Sequence, residues 1–205
     1  DLSVHHCTSH ERLPGLLTQH QPDAVYTVRF SDAAPYPRDA LFGPDGPRWI
    51  SVGGVGTDHL GTWDTSRFTV TNAAGVAADM MAEYAFGGFL HFALDVPGLL
   101  TDKAARHWDK GRMVAPLAGR TLLIVGLGHT GRAIAKRAKA FGMRVVGTRA
   151  MPREMEHVDH VGAASDLMEL LGHADFIAVS TPLIAATRNL IGAADLGKAM
   201  GNQNR

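Results

Sequence analysis

The sequence has very little cysteine and no excess of charge of either sign. Cys7 is its single cysteine, so no disulfide can form within the chain, and a reducing, cytoplasmic compartment is expected. The 20 basic residues equal the 20 acidic ones, and the formal net charge is zero. Because a broad basic field is missing, we expect no binding to nucleic acid or to an anionic membrane surface.

Long apolar runs and a recognisable targeting segment are also absent. The most apolar stretch, residues 84–100, is interrupted by His91, Asp95 and Pro97, whereas a membrane-spanning helix needs about 20 largely apolar residues. The first residues, DLSVHH, lack the basic and then apolar pattern of a signal peptide. With 45% hydrophobic and 20% charged residues, the composition is typical of a globular protein with no membrane partner.

Potential metal ligands cluster near the start of the chain, at His5, His6, Cys7 and His10. Adjacent histidines on a strand point to opposite faces, and no second pair of ligands follows at a spacing typical of zinc sites. We therefore expect no bound metal.

Short apolar segments alternate with helical patterns along the whole chain. β-branched and aromatic residues predict strands at residues 23–30, 49–52, 68–72, 122–125, 143–148 and 176–179. Helical spacing predicts helices between them, and the longest covers residues 76–92 and is ended by Pro97-Gly98. The alternation predicts a parallel α/β fold. The crossover after the long helix suggests two domains, residues 1–95 and 96–205.

Three glycines, Gly126, Gly128 and Gly131, stand between a predicted strand and a predicted helix. In a dinucleotide-binding turn, the first glycine permits the tight bend, the second lets the backbone approach a pyrophosphate, and the third lets the helix pack on the strand. The N–H groups around His129 and Thr130 would face the phosphates at the positive end of the helix dipole. The alternatives are ordinary loop chemistry and a methyl-donor-binding domain, which shares this first turn.

The end of the next strand determines which nicotinamide cofactor such a turn binds. NAD-binding proteins usually place an acid about 20 residues after the glycines, on the ribose 2′-hydroxyl. Here Thr148 is followed by Arg149 and Arg153, and the first carboxylate is that of Glu154. A guanidinium pairs with a 2′-phosphate and gains nothing from a bare hydroxyl. NADP(H) is therefore favoured and NAD(H) remains possible; the alternative is that Arg149 is a solvated surface residue.

Several motifs occur in an order and at a spacing that resemble one family. They include a glycine loop after the strand at 49–52, the glycine turn, and a proline-containing loop after the strand at 176–179. Over residues 23–196 they resemble the D-isomer-specific 2-hydroxyacid dehydrogenases, and among these the glyoxylate/hydroxypyruvate reductases. The other matching segments are VGGVGTDHL at 52–60, TNAAGV at 71–76, Ala82-Glu83, LAGRT at 117–121, Pro182-Leu183 and TRNLIG at 187–192.

This resemblance implies a two-domain enzyme with its active site between the domains. Residues 96–205 would form a Rossmann-like, doubly wound parallel sheet that binds the cofactor. Residues 1–95 would form a smaller flavodoxin-like α/β domain that binds the substrate, and both domains would be incomplete. The residues implied in cofactor binding are Val55, Gly126, Gly128, His129, Thr130, Gly131, Thr148, Arg149, Arg153, Thr181, Pro182 and Thr187.

The resemblance also places the substrate carboxylate on the glycine loop of the first half, at Gly54, Val55 and Gly56. Successive amides in a glycine-rich turn form an anion-binding nest, which agrees with that role. The alternative is that Gly53 to Gly56 merely turn the chain at the end of a strand.

The family's catalytic arginine, glutamate and histidine belong to later segments than those matched here, so we expect this chain to be a fragment without catalytic residues of its own. His59, His107 and His129 do not stand where the family's acid/base histidine stands. Two functions remain open. One is NAD(P)H-dependent reduction of a small 2-oxo acid, and the other is a non-catalytic dinucleotide-binding or dimerisation module. The family implies a homodimer.

Overall fold

The structure is a computed structural model that describes residues 2–28, 35–193, 195 and 197. The backbone packs into two compact units, Asp1–Ala74 and Gly75–Arg205. In the described part of the chain, no helix is both long enough and apolar enough to cross a membrane.

The first unit contains a three-stranded parallel sheet with strand order β1-β2-β3. Ile50 of β2 pairs with Val25 of β1 on one side and with Val70 of β3 on the other. The predicted strand at 23–30 is shorter in the structure, and Phe30 lies outside the described residues. The elements of this unit are α1 (Leu13–His20), β1 (Ala24–Thr27), α2 (Arg38–Leu41), β2 (Trp49–Val52) and β3 (Thr69–Asn72), with 3-10 turns at His10–Arg12 and Asp58–Leu60.

Two arginines tie the loops of the first unit together around its apolar core. The Arg38 guanidinium donates to the carbonyls of Leu60 and Thr62. The Arg67 guanidinium, which lies later in the chain, donates to the carbonyls of Gly43 and Pro44 in the earlier segment, at 2.9 Å each. The two side chains therefore connect the segment around α2 with the segment before β3. The fully buried core residues beneath them are Leu41, Ile50 and Leu60.

The second unit contains a four-stranded parallel sheet with strand order β6-β5-β4-β7. In chain order within the unit this is 3-2-1-4, the order of the first four strands of a Rossmann fold. The short strand β6 was not predicted. The elements are α3 (Ala78–Ala93), α4 (Val96–Ala105), β4 (Thr121–Val125), α5 (His129–Ala140), β5 (Arg144–Thr148), β6 (His160–Gly162), α6 (Leu167–Leu171) and β7 (Phe176–Val179), with 3-10 turns at Ala164–Asp166 and Ala185–Thr187.

Helices cover both faces of this sheet, because successive side chains of a strand point to opposite faces. Leu122 and Ile124 of β4 join a core cluster with residues of α3 and α5. Leu123 and Val125 join a separate cluster with residues of α6. The sheet is therefore doubly wound, and the predicted parallel α/β fold with two sheets is confirmed.

The long helix α3 ends at Ala93, one residue from the predicted end, but Pro97-Gly98 does not terminate it. Asp95 follows α3 in the left-handed conformation, with φ +46°, and its carboxylate accepts a hydrogen bond of 3.2 Å from the Gly98 N–H. Pro97 stands in the first turn of α4, where a missing N–H costs no hydrogen bond. Pro97 thus begins a helix here, and the prediction that Pro97-Gly98 ends the preceding one is wrong.

Helix α3 packs within the second unit. Its Ala82 and Phe86 are buried in the same cluster as Ile134 and Ala138 of α5. The division by packing consequently falls between residues 74 and 75, and it differs from the division at 95/96 suggested by the sequence. The reason is that an apolar helix belongs to the unit on which it packs. A break in the sequence pattern does not show on which unit a helix packs.

Candidate functional site

The carboxyl ends of β5, β4 and β7 meet at one edge of the second sheet. Val125, the last residue of β4, pairs with Thr148 of β5 and with Val179 of β7. The direction in which strands are added reverses between β4 and β7, and open α/β sheets bind ligands at such a switch point. The predicted glycine turn, Arg149 and Thr181 all follow these strand ends.

Gly126 makes the tight bend directly after β4. Its φ is +99°, a conformation that residues with a side chain rarely adopt. The Thr148 carbonyl accepts hydrogen bonds from the N–H groups of Gly126 and Leu127, at 3.1 and 3.2 Å. A Cβ on Gly126 would also lie 2.9 Å from Thr181 Cγ2. Glycine is therefore required here by both conformation and space.

The other two glycines of the turn have opposite surroundings. A Cβ on Gly131 would lie 2.1 Å from the Gly126 carbonyl oxygen, so α5 is packed directly on the turn. A Cβ on Gly128 would meet no heavy atom within 4 Å among the described residues. The space over Gly128 is thus open, and the arrangement fits a group that rests on bare backbone, as a pyrophosphate does.

The first turn of α5 offers hydrogen-bond donors to that space. Gly128 is the N-cap and contributes no side-chain acceptor, and the first turn has no acidic residue. The N–H groups of His129, Thr130 and Gly131 have no acceptor within the helix. The His129 side chain is exposed and lies against Gly75, where a Cβ would be 3.0 Å from His129 Cδ2. The turn therefore presents backbone donors at the positive end of the helix dipole.

Ser180 is part of this turn although it was not predicted. Its N–H donates to the Val125 carbonyl at 2.8 Å, and its hydroxyl donates to the Gly126 carbonyl at 2.6 Å. The hydroxyl thereby holds the first glycine in place from the neighbouring strand. The one signal in the sequence is its position directly after β7, which does not reveal the hydrogen bond.

The loop after Thr181 is closed by its own hydrogen bonds. The Thr187 hydroxyl accepts a hydrogen bond of 3.0 Å from the Ile184 N–H and lies within donating distance of the Pro182 carbonyl. Thr187 thus stabilises the loop, and Pro182 is exposed. That Thr181, Pro182 and Thr187 contact a cofactor stays a prediction.

Arg149 follows β5 and is half-buried. Its N–H donates to the Gly162 carbonyl at 3.1 Å, and its Nη1 lies 3.5 Å from Met155 Sδ. Arg153 and Glu154 are exposed, and the Arg153 side chain forms no hydrogen bond or ion pair with the described residues. The two arginines differ accordingly: one guanidinium is held by the fold and the other is free in solvent.

The glycine loop of the first unit follows β2 and is held by the end of β3. The Gly54 carbonyl accepts a hydrogen bond of 3.1 Å from the Ala73 N–H, and the Val55 carbonyl accepts one of 2.7 Å from Asn72 Nδ2. Within the described part of the chain, the N–H groups of Val55 and Gly56 make no hydrogen bond. With the carbonyls engaged and the amides open, the loop has the donors that an anion-binding nest requires.

The histidines lie in other surroundings. The His59 ring packs edge-on against Tyr36 at 4.5 Å between ring centroids, and burial raises the pKa of the Tyr36 phenol. His5 stacks on His20 at 3.7 Å, and His107 is exposed. Among residues 2–28, 35–193, 195 and 197, no three histidine, cysteine or carboxylate side chains are grouped as a metal site would require.

Comparison with known proteins identifies the family. Residues 88–203 match the D-isomer specific 2-hydroxyacid dehydrogenase, NAD binding domain, which is more than half of the chain. The matched segment contains the glycine turn, Arg149 and the loop after β7. The site described at the edge of the second sheet is therefore in a domain that binds a nicotinamide dinucleotide.

Individual relatives agree with this match. D-3-phosphoglycerate dehydrogenase of Methanocaldococcus jannaschii is 33% identical over 76% of this chain and 30% of its own length. Glyoxylate reductase of Thermococcus litoralis is 33% identical over 69% of this chain and 46% of its own length. The chain thus spans less than half of these curated relatives.

Solved structures share the fold. A D-isomer specific 2-hydroxyacid dehydrogenase family protein from Aeromonas salmonicida subsp. salmonicida A449 has a TM-score of 0.75 and 24% identity, over 95% of this chain and 68% of that one. The predicted resemblance is confirmed by the family match together with the doubly wound sheet and its glycine turn. This chain belongs to the D-isomer-specific 2-hydroxyacid dehydrogenases.

Proposed function

We propose that this chain is the NADPH-binding part, with a portion of the substrate-binding part, of a reductase of small 2-oxo acids. The observation that carries the proposal is Arg149, a half-buried guanidinium at the end of β5 where NAD-binding proteins have an acid. Family membership supports a nicotinamide dinucleotide, and the choice of NADP(H) over NAD(H) rests on this side chain.

Two parts of the second unit would hold the cofactor. The open backbone at Gly128 and the free N–H groups of the α5 first turn would accept the pyrophosphate. Arg149, with Arg153 nearby in the chain, would pair with the 2′-phosphate, because a guanidinium forms charge-assisted hydrogen bonds with phosphate oxygens. When bound, the dinucleotide supplies the hydride for reduction of the carbonyl.

The first unit would hold the carboxylate of the substrate. The amides of Val55 and Gly56 are open, and the neighbouring carbonyls are held away by Ala73 and Asn72. A nest of this size suits one carboxylate. Relatives named glyoxylate reductase and hydroxypyruvate reductase favour a short 2-oxo acid. We assign substrate binding to the N-terminal part of the chain and cofactor binding to the C-terminal part.

We further propose that the 205-residue chain binds cofactor without reducing substrate. Reduction of a carbonyl needs an acid that donates a proton. His59 packs against Tyr36, and the side chain of His129 lies against Gly75. We therefore assign the role of proton donor to neither histidine.

The test of the cofactor proposal is to titrate the chain with NADPH and NADH and to follow the fluorescence of the dihydronicotinamide. We expect NADPH to bind about tenfold or more tightly than NADH, since hydrogen bonds to a charged group contribute about 1.5–3 kcal/mol. Arg149→Ala should remove most of this preference and leave NADH affinity unchanged.

Arg144→Ala is the matched control, because Arg144 is an exposed arginine at the opposite end of β5. It should leave both affinities unchanged. Equal binding of the two cofactors by the unaltered chain would refute the proposal. Adding glyoxylate to the NADPH complex should cause no loss of absorbance of the reduced nicotinamide, and steady oxidation would refute the claim that the chain alone is inactive.

A second candidate function is a non-catalytic module that binds dinucleotide and dimerises. It is favoured by the apolar side chains that α3 exposes, since Met80 is 67% and Tyr84 81% exposed. These residues are four apart and share one helix face. Gly87 and Gly88 continue the face, and nothing stands within 4 Å of their Cβ positions among the described residues. A second copy of α3 would cover this surface in a homodimer.

A further inference from the structure

The loop between β5 and β6, residues 149–159, is exposed in its first half and anchored to the domain in its second half. Residues 150–154 are all exposed, whereas Met155 and Val158 pack against the core cluster that includes α3 and α5. Met155 is therefore the first residue after Arg149 whose side chain is anchored in the apolar interior.

That anchored side chain contacts the arginine proposed to select the cofactor. Arg149 Nη1 lies 3.5 Å from Met155 Sδ, and both residues are half-buried. A thioether is a weak acceptor, so the hydrogen bond itself contributes little. What the contact provides is a preferred conformation for a long side chain that otherwise has many rotamers.

We propose that Met155 is a positioning residue that orders the Arg149 guanidinium for the 2′-phosphate before the cofactor binds. This inference rests on the proposed function. Immobilising a rotamer-rich side chain costs free energy at the moment of binding, and ordering it beforehand reduces that cost. Arg149 has a contact at each end: its backbone N–H donates to the Gly162 carbonyl, and its guanidinium lies against Met155.

The other charges of the loop do not compete for Arg149. Glu154 is exposed, and Glu156 lies 3.2 Å from His157 Nε2. The Arg149 guanidinium forms no ion pair with the described residues, so its charge is available to a phosphate. Arg153 is exposed, and its side chain has no partner in the described part of the chain. It would attract the 2′-phosphate by its charge without being held in one conformation.

The experiment compares the affinities of 2′,5′-ADP and 5′-AMP, as well as NADPH and NADH, for Met155→Ala and for Met151→Ala by calorimetry. Met151 is the matched control because it lies in the same loop and is 75% exposed. Met155→Ala should weaken the two 2′-phosphorylated ligands by about two- to tenfold and leave the other two unchanged. Met151→Ala should change none of them.

A double-mutant cycle with Arg149→Ala tests whether Met155 acts through the arginine. In the Arg149→Ala background, Met155→Ala should have no further effect on NADPH. Should Met155→Ala not fold, Met155→Leu keeps an apolar anchor but removes the sulfur, and a loss of about twofold in the same direction is expected. The inference is overturned if neither variant affects NADPH, or if NADH weakens equally.

The failure of the proposed function would look different. The proposed function fails if the unaltered chain binds NADPH and NADH equally, or if Arg149→Ala leaves the preference for NADPH intact. Either result would mean that Arg149 does not bind the 2′-phosphate. If Arg149→Ala removes the preference while Met155→Ala does not change it, the proposed function stands and the role of Met155 alone is refuted.

Discussion

Gly128 and Gly131 are three residues apart, and a side chain added to each would have different consequences. At Gly128 the added atoms would enter the open space over the turn, and the backbone φ of −77° suits any residue. At Gly131 the first added atom would overlap the Gly126 carbonyl oxygen at 2.1 Å. Ligand binding and folding therefore depend on different glycines of the same motif.

Gly128→Val should abolish dinucleotide binding and leave the fold intact, because a Cβ here meets no heavy atom within 4 Å among the described residues and the side chain would enter the space proposed for the pyrophosphate. We expect an affinity loss of about 100-fold or more, which corresponds to the loss of about two hydrogen bonds to a charged group. Gly131→Ala is the contrasting variant, and its melting temperature should fall. Circular dichroism and NADPH fluorescence measure the two effects, and undiminished NADPH binding by Gly128→Val would exclude the turn as the site.

The sequence predicted the positions of the glycines in the turn, but it did not predict the side-chain contacts at the site. Gly126 was predictable because its conformation follows from the strand–turn–helix pattern around it. The hydrogen bond from Ser180 joins residues 54 positions apart, and the contact of Met155 with Arg149 depends on how a loop folds back on the core. No periodicity or spacing encodes either contact.

Asp159 connects two elements of the second unit. Its carboxylate accepts hydrogen bonds from Lys139 Nζ of α5 and from the Val145 N–H of β5, both at 2.8 Å. These donors hold the pKa of the carboxyl below its usual value, with Lys139 as the largest cause and the Val145 amide as the next. The ionised form is thus favoured in the folded state.

Asp159→Asn should lower the free energy of unfolding near neutral pH and have less effect in acid. The lowered pKa means that the stabilisation is present above the unfolded pKa of about 3.9 and is lost as the pH falls through the folded pKa. We expect less than about 1 kcal/mol, since the side chain is 40% exposed and water screens it.

Denaturant unfolding at about pH 7 and about pH 2.5 measures this difference. Glu154→Gln is the control, because this exposed carboxylate lies in the same loop as Asp159. The interpretation fails if the destabilisation by Asp159→Asn is the same at both pH values.

Elements with a strong pattern were predicted well. The bounds of β2 and β7 agree with the predicted strands at 49–52 and 176–179. The strand β6 was missed because its three residues are too few to show alternation. The break between α3 and α4 depends on the left-handed conformation of Asp95. The sequence pattern does not indicate this conformation, and the prediction assigned the end of the helix to Pro97, two residues later, instead.

At the scale of the whole molecule, the proposed dimer depends on the exposed face of α3. Introducing charge as Met80→Glu with Tyr84→Glu should weaken self-association by at least about tenfold, because two charges per copy would lose their hydration in the interface. Met151→Glu places a charge on another exposed apolar residue and should not change the association.

Light scattering coupled to size-exclusion chromatography measures the mass of each variant. A chain that is monomeric without substitution would rule out the homodimer. The substituted residues are away from the core, since Met80 is 67% and Tyr84 81% exposed, so monomer stability should be retained.

The burial of β4 at the centre of the sheet also determines which backbone amide protons exchange most slowly with solvent. All four residues from Leu122 to Val125 are fully buried, and the strand is hydrogen-bonded on both sides, to β5 and β7. In deuterated water, these amide protons should be replaced only when the entire unit unfolds. The amides of β6, at the margin of the same sheet, should be replaced through smaller openings, and mass spectrometry of exchanged peptides would separate the two rates.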